Sequence, residues 1–158
     1  MKITLLLMGK TAFDWVARAV ELYSSRISHY APFSVVELPE LRNVSSLSQE
    51  SIKEREGELL LSKVKSGDDV ILLDERGKEM RSVEFASFLE RKFVTASGRD
   101  IVFIIGGAYG FSEKVYGRAD SKLSLSRMTF SHQLVRAIFT EQLYRAFTII
   151  KGEPYHHE

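Results

Sequence analysis

The stretch Asp100-Ile-Val-Phe-Ile-Ile-Gly-Gly-Ala-Tyr-Gly110 decides the fold. Asp100 to Ile105 is predicted as a strand: from Ile101 on it is apolar without interruption, and a run this short that ends in glycines suits a β-strand covered on both faces. Gly106, Gly107 and Gly110 let the backbone turn and bring its N–H groups close to a ligand. Ser112 follows in position to cap a short helix over Glu113 to Tyr116. A buried strand that enters a turn and a capped helix is the building unit of a layered α/β protein.

The same alternation extends outward in both directions. Lys2 to Met8 is predicted as a first buried strand, and Phe13, Val16, Ala17, Val20, Tyr23 and Ile27 recur at helical spacing. Pro32 and Pro39 bracket a second strand, Phe33 to Leu38. Ser46 and Gln49 stand at capping-box spacing, which predicts a helix from about Leu47 to Lys65. Asp69 to Asp74 reads as a third strand turned by Glu75-Arg-Gly-Lys78, and Val83, Phe85, Ala86, Phe88, Leu89 and Phe93 as a third helix. Downstream, Lys122 to Leu125 is predicted as a short fifth strand and His132 to Ile150 as a last helix, apolar nearly all round. The pattern implies a parallel sheet with helices on both faces. Ligands in such sheets sit at the carboxyl ends of the strands, so the loops after Leu73, Ile105 and Leu125 are candidates for a single crevice.

A chain of 158 residues is expected to form a single domain, 1–158. The net charge is +1, whereas proteins that grip long nucleic acids through phosphates are far more basic, so any such site must be a local patch. The absence of cysteine excludes disulfides, thiolate zinc sites and a cysteine nucleophile, and fits a reducing cytosol. No apolar run approaches the ~20 residues of a membrane span. Lys10 and Asp14-Trp15 follow Met1 to Gly9 where a signal peptide would end in small residues, so this start reads as a strand.

Ser124-Leu-Ser-Arg-Met-Thr-Phe-Ser131 is rich in hydroxyls, and Ser131 is placed to cap the helix beginning at His132. A loop of this kind holds a helix start while its backbone faces a ligand. His132 and Arg136 are one helical turn apart and share a face. A buried arginine needs an anionic partner, here Glu141 or Asp74 within the protein, or a ligand phosphate. The terminal Tyr155-His-His-Glu158 places its histidines side by side without an HExxH-type context, and no metal site is expected.

Several of these segments occur together: Asp14-Trp15, Leu73-Asp74 with Gly77-Lys78, Gly106-Gly107 with Gly110, Ser124-Leu-Ser126 with Met128-Thr129, His132 with Leu134 and Arg136, Glu141-Gln-Leu-Tyr-Arg145, and Pro154-Tyr-His156. In this order and spacing the chain resembles the ribosomal large-subunit methyltransferase H family, of the SPOUT class of knotted methyltransferases. The resemblance implies a deep trefoil knot over about residues 70–150, a C-terminal tail of residues 151–158, a homodimer and a cytoplasmic location. It implies S-adenosylmethionine as cofactor, held at Leu73, Gly106, Ser126, Arg127, Met128, Thr129, Phe130 and Ser131. The implied reaction methylates N3 of a pseudouridine in 23S rRNA of the assembled ribosome. On this reading His156 and Tyr155, delivered by the partner's tail, and Arg136 serve catalysis, and His132 faces the RNA with them.

Overall fold

In the first strand, β1 (Ile3–Met8), Leu5 and Leu7 enter one core while Leu6 and Met8 enter another. Such alternation without a solvent face requires helices on both sides of the sheet. The computed structural model, which describes residues 1–95 and 98–157, supplies them. The order continues through α1 (Asp14–Ile27), β2 (Phe33–Leu38), α2 (Gln49–Ser62), β3 (Asp69–Glu79) and α3 (Ser82–Thr95). It ends with β4 (Ile101–Ile105), α4 (Glu113–Arg118), β5 (Ser121–Ser124) and α5 (Leu134–Ile150).

The strands form one parallel sheet in the order β2-β1-β4-β3-β5. Ile27, Phe85, Leu89, Phe139, Leu143 and Phe147 bring α1, α3 and α5 against one face. Leu60 and Val115 bring α2 and α4 against the other. β4 is buried at every position, as its composition predicts.

Several element boundaries differ from the sequence reading, three of them with a local cause. α2 starts after Ser48, whose hydroxyl accepts from the Ser51 N–H at 3.1 Å, so Ser48 rather than Ser46 is the cap. A turn closed by Leu47 N–H on the Val44 carbonyl at 3.0 Å occupies the residues before it. β3 does not stop at Asp74. Its pairing with β5 shifts register between Leu73 and Lys78, both of which face Leu123. Residues 74–77 are thereby looped out of the ladder and the strand resumes beyond them. α5 begins at Leu134, although Ser131 is its cap as expected: the Leu134 N–H donates to Ser131 Oγ at 3.0 Å.

The nearly all-round apolarity of α5 has an explanation inside the chain. It packs against both α1 and α3, and no residue from Val135 to Ile150 is exposed. Beyond it, Gly152 turns the chain at φ +69°, and the Glu153 N–H closes back on the Thr148 carbonyl at 2.9 Å. Tyr155 then stacks edge-on against Tyr144, with ring centroids 4.7 Å apart.

Candidate functional site

The strand order makes β4, β3 and β5 neighbours, so the loops leaving their carboxyl ends converge. They enclose a cleft of about 510 Å³ that Leu73, Gly106, Ser126, Met128, Thr129, Phe130 and His132 all line. The structure thus joins seven of the residues singled out from the sequence. Arg127 and Ser131 belong to the same loop and do not line the cleft. Arg127 points outward to Glu79 Oε1 at 2.9 Å, and Ser131 is engaged as the helix cap.

The loop after β5 is held by its own hydroxyls. Ser124 Oγ donates to the Ser126 carbonyl at 2.9 Å, and Ser126 Oγ accepts from the Met128 N–H at 2.9 Å. These bonds hold Met128 at the cleft, where the residue is 77% exposed. The opposite wall comes from the excursion in β3. Gly77 lets that excursion lie on β5, since a Cβ there would stand 2.6 Å from the backbone of Leu123.

Asp74, Glu113, Tyr116 and Lys53 also line the cleft; the sequence placed Asp74 beside Leu73 at a strand end on the crevice without assigning it a role, and sequence reasoning passed over the other three. Asp74 Oδ2 is buried with no hydrogen-bond partner. Burial and the neighbouring Asp74 together push the Tyr116 phenol up to about 12. A buried acceptor left unpaired costs about 1–3 kcal/mol, which a donor on a ligand would offset. The helical spacing of Tyr116 and the turn-like setting of Asp74 gave no sign that the two would meet.

His132 forms part of this wall, and its pKa is lowered by burial and by the charge on Arg136, against an opposing effect of Glu40. The imidazole is therefore held neutral to lower pH than usual.

Arg136 corrects an expectation. Its side chain is 0% exposed and pairs with neither Glu141 nor Asp74. The guanidinium donates to the Met8 carbonyl at 2.9 Å, the Gly9 carbonyl at 3.0 Å, Thr11 Oγ1 at 2.9 Å and the His132 carbonyl at 3.1 Å. Glu37 stands 3.8 Å away as the counter-charge. Carbonyls at the end of β1 take up the donors that a phosphate or base anion would need. Arg136 is a tie between α5 and the sheet.

The tail is docked against its own chain, but neither Tyr155 nor His156 lines the cleft there. Tyr155 Oη donates to Glu141 Oε1 at 2.9 Å, and Arg145 lies 3.1 Å from His156 Nδ1. Glu158 lies outside the described residues. Among the described residues no group of three or more His, Cys, Asp or Glu side chains could hold a metal ion, and no helix is long and apolar enough to cross a membrane.

A parallel α/β sheet with a ligand-sized cleft under the loops of its last three strands fits the SPOUT methyltransferases, and the family model described as "Predicted SPOUT methyltransferase" matches residues 1–156. Within that class the chain belongs to the ribosomal RNA large subunit methyltransferase H family. Proteins of that name from Phocaeicola vulgatus, Bacteroides fragilis and Parabacteroides distasonis are 54%, 53% and 51% identical to it over 158 residues, covering 100% of both chains in each case.

Proposed function

We propose that this protein uses S-adenosylmethionine to methylate N3 of a pseudouridine in 23S rRNA of the assembled ribosome. The observation that carries the reading is full-length similarity to relatives named for rRNA methylation, joined to a cleft built from the expected loops. The residues present suit the cofactor. Leu73, Ile105, Leu125 and Phe130 offer apolar walls for an adenine, and the unpartnered Asp74 oxygen offers an acceptor for a hydroxyl or ammonium. Ser126 to Thr129 contribute main-chain groups from a loop already ordered by its hydroxyls. When bound, the cofactor supplies an electrophilic methyl group on a sulfonium whose sulfur departs as a neutral thioether.

The protein's share is to position the base and accept the N3 proton. Tyr155 and His156 act from the tail of a second copy, because in their own chain they stand apart from the cleft. Their assigned tasks are stacking on the base and holding it beside the methyl. His132 faces the RNA at the cleft wall, and Arg136 positions His132 through its backbone rather than touching substrate. A homodimer is the assembly this requires. Phe13, stacked on Trp15 at the start of α1, and Leu22 farther along it are exposed apolar residues that such an interface would bury. The further parts of the reading are one domain over residues 1–158, a trefoil knot over about 70–150 and a cytoplasmic location. The passage from edge strand β5 to an α5 tied beneath β1 agrees with such threading.

Methyl transfer to intact ribosomes, naked rRNA and tRNA, with mass mapping of the product, tests the reading. A single methylated pseudouridine in ribosomes is the expected result. Transfer only to tRNA overturns the substrate, and calorimetry without cofactor binding overturns the enzyme.

A further inference from the structure

A second cleft, of about 520 Å³, adjoins the first and shares Gly107, Ala108, Tyr109 and His132 with it as a common wall. Leu41, Val44, Leu47 and Ile52 make it apolar on the side of α2, and Glu40 and Glu56 line it as well. Direct methyl transfer needs donor and acceptor atoms about 3–3.5 Å apart, so the acceptor must sit in space continuous with the donor's cleft. The second cleft meets that requirement and has room for a nucleotide.

Its chemistry narrows the ligand. Two carboxylates disfavour a phosphate, while the aliphatic wall and the half-exposed Tyr109 suit a base. Glu56 is the distinctive group. Its Oε1 is buried without a hydrogen-bond partner, and burial raises its pKa, so the carboxylate is held at a cost that an N–H donor would relieve. It packs directly on the common wall: a Cβ on Gly107 would stand 2.6 Å from Glu56 Oε2.

We infer that this second cleft seats the target base and that the Glu56 carboxylate accepts its N1–H. The inference rests on the function proposed above and deepens it. In pseudouridine N1 carries a hydrogen and lies one ring carbon from N3, whereas in uridine N1 bears the sugar. A carboxylate beside the reactive edge therefore distinguishes the two nucleosides. Glu56 is a specificity residue on this account, and it takes no part in the transfer itself.

The test compares ribosomes that carry pseudouridine at the target position with ribosomes that carry uridine there. The wild-type protein should prefer pseudouridine, and Glu56→Gln should cut that preference about tenfold, the worth of one charge-assisted hydrogen bond, while cofactor binding by calorimetry is unchanged. Glu56→Asp, which keeps the charge, should retain part of the preference. Ile52→Phe fills the cleft from α2 and leaves the carboxylate in place; it should abolish transfer at unaltered cofactor affinity. An unchanged preference in Glu56→Gln overturns the role of Glu56, and wild-type transfer by Ile52→Phe overturns the seat of the base. If the wild-type protein methylates neither ribosome, the proposed function fails first and this inference with it.

Discussion

A Cβ on Gly77 would lie 2.6 Å from the backbone of Leu123, the residue that pairs with β3 on both sides of its register shift. The wall of the cleft is therefore pinned where β3 crosses β5. Gly77→Ala must push the two strands apart, at a cost of about 1–3 kcal/mol for overpacking. A lower thermal midpoint with weaker cofactor binding is expected. Wild-type values for both would show that the contact relaxes freely.

Arg136 makes four hydrogen bonds from a fully buried side chain. Arg136→Ala strands the Met8 and Gly9 carbonyls, and a loss of about 3 kcal/mol is expected in denaturant unfolding. Arg136→Lys keeps the charge and loses the planar fork, so it should recover only part of that loss.

His132 has a pKa lowered from 6.5, first by burial, then by Arg136, with Glu40 opposing. The unfolded chain then binds more protons at mildly acidic pH. The contribution of His132 to stability is complete above pH 6.5 and is lost as pH falls through the folded value. An imidazole titration followed by NMR should place His132 below 6.5, and His132→Gln should flatten the acid side of the stability profile. A midpoint above 6.5 would contradict the burial described here.

Tyr30 is raised from 10.0 to about 12, chiefly by its hydrogen bond to Glu153, made at 2.6 Å. Its contribution is present below pH 10 and disappears as pH climbs through about 12. Tyr30→Phe should make the alkaline limb of stability shallower. Ultraviolet difference titration should count one fewer late-ionising phenol in the variant.

Asp74→Asn keeps the size of the side chain and removes the charge from the cleft. If Asp74 binds a donor on the cofactor, affinity should fall about tenfold with no change in fold. Calorimetry checks this, and an equal affinity would assign Asp74 to the Tyr116 contact alone.

Most of the fold was legible because strand and helix periods are local properties. β2 matches its expected limits, and β1 and β4 match to within one residue at the start. Parallel pairing and two-sided cover followed from the alternation. β3 was cut short because its register shift depends on Leu123, a residue about 50 positions away that no local pattern can indicate. The site divided along the same line. Ser126, Met128, Thr129 and Phe130 line the cleft from a loop whose hydroxyls mark it in the sequence, whereas the outward turn of Arg127, the burial of Arg136, the unpaired Asp74 Oδ2 and the second cleft around Glu56 arise only when distant segments meet.

The bond from Arg136 to Met8 spans 128 positions of sequence. During translation β1 emerges first, but the carbonyls at its end must wait for almost the whole chain. At about 5–20 residues per second that wait is about 6–25 s. Until then β2, and later β4, pair with β1, while the Met8 and Gly9 carbonyls are left to water. Fastening α5 to the sheet is therefore a later event than pairing the central strands, and a chain stopped shortly before Arg136 would lack the residue that ties β1 to α5.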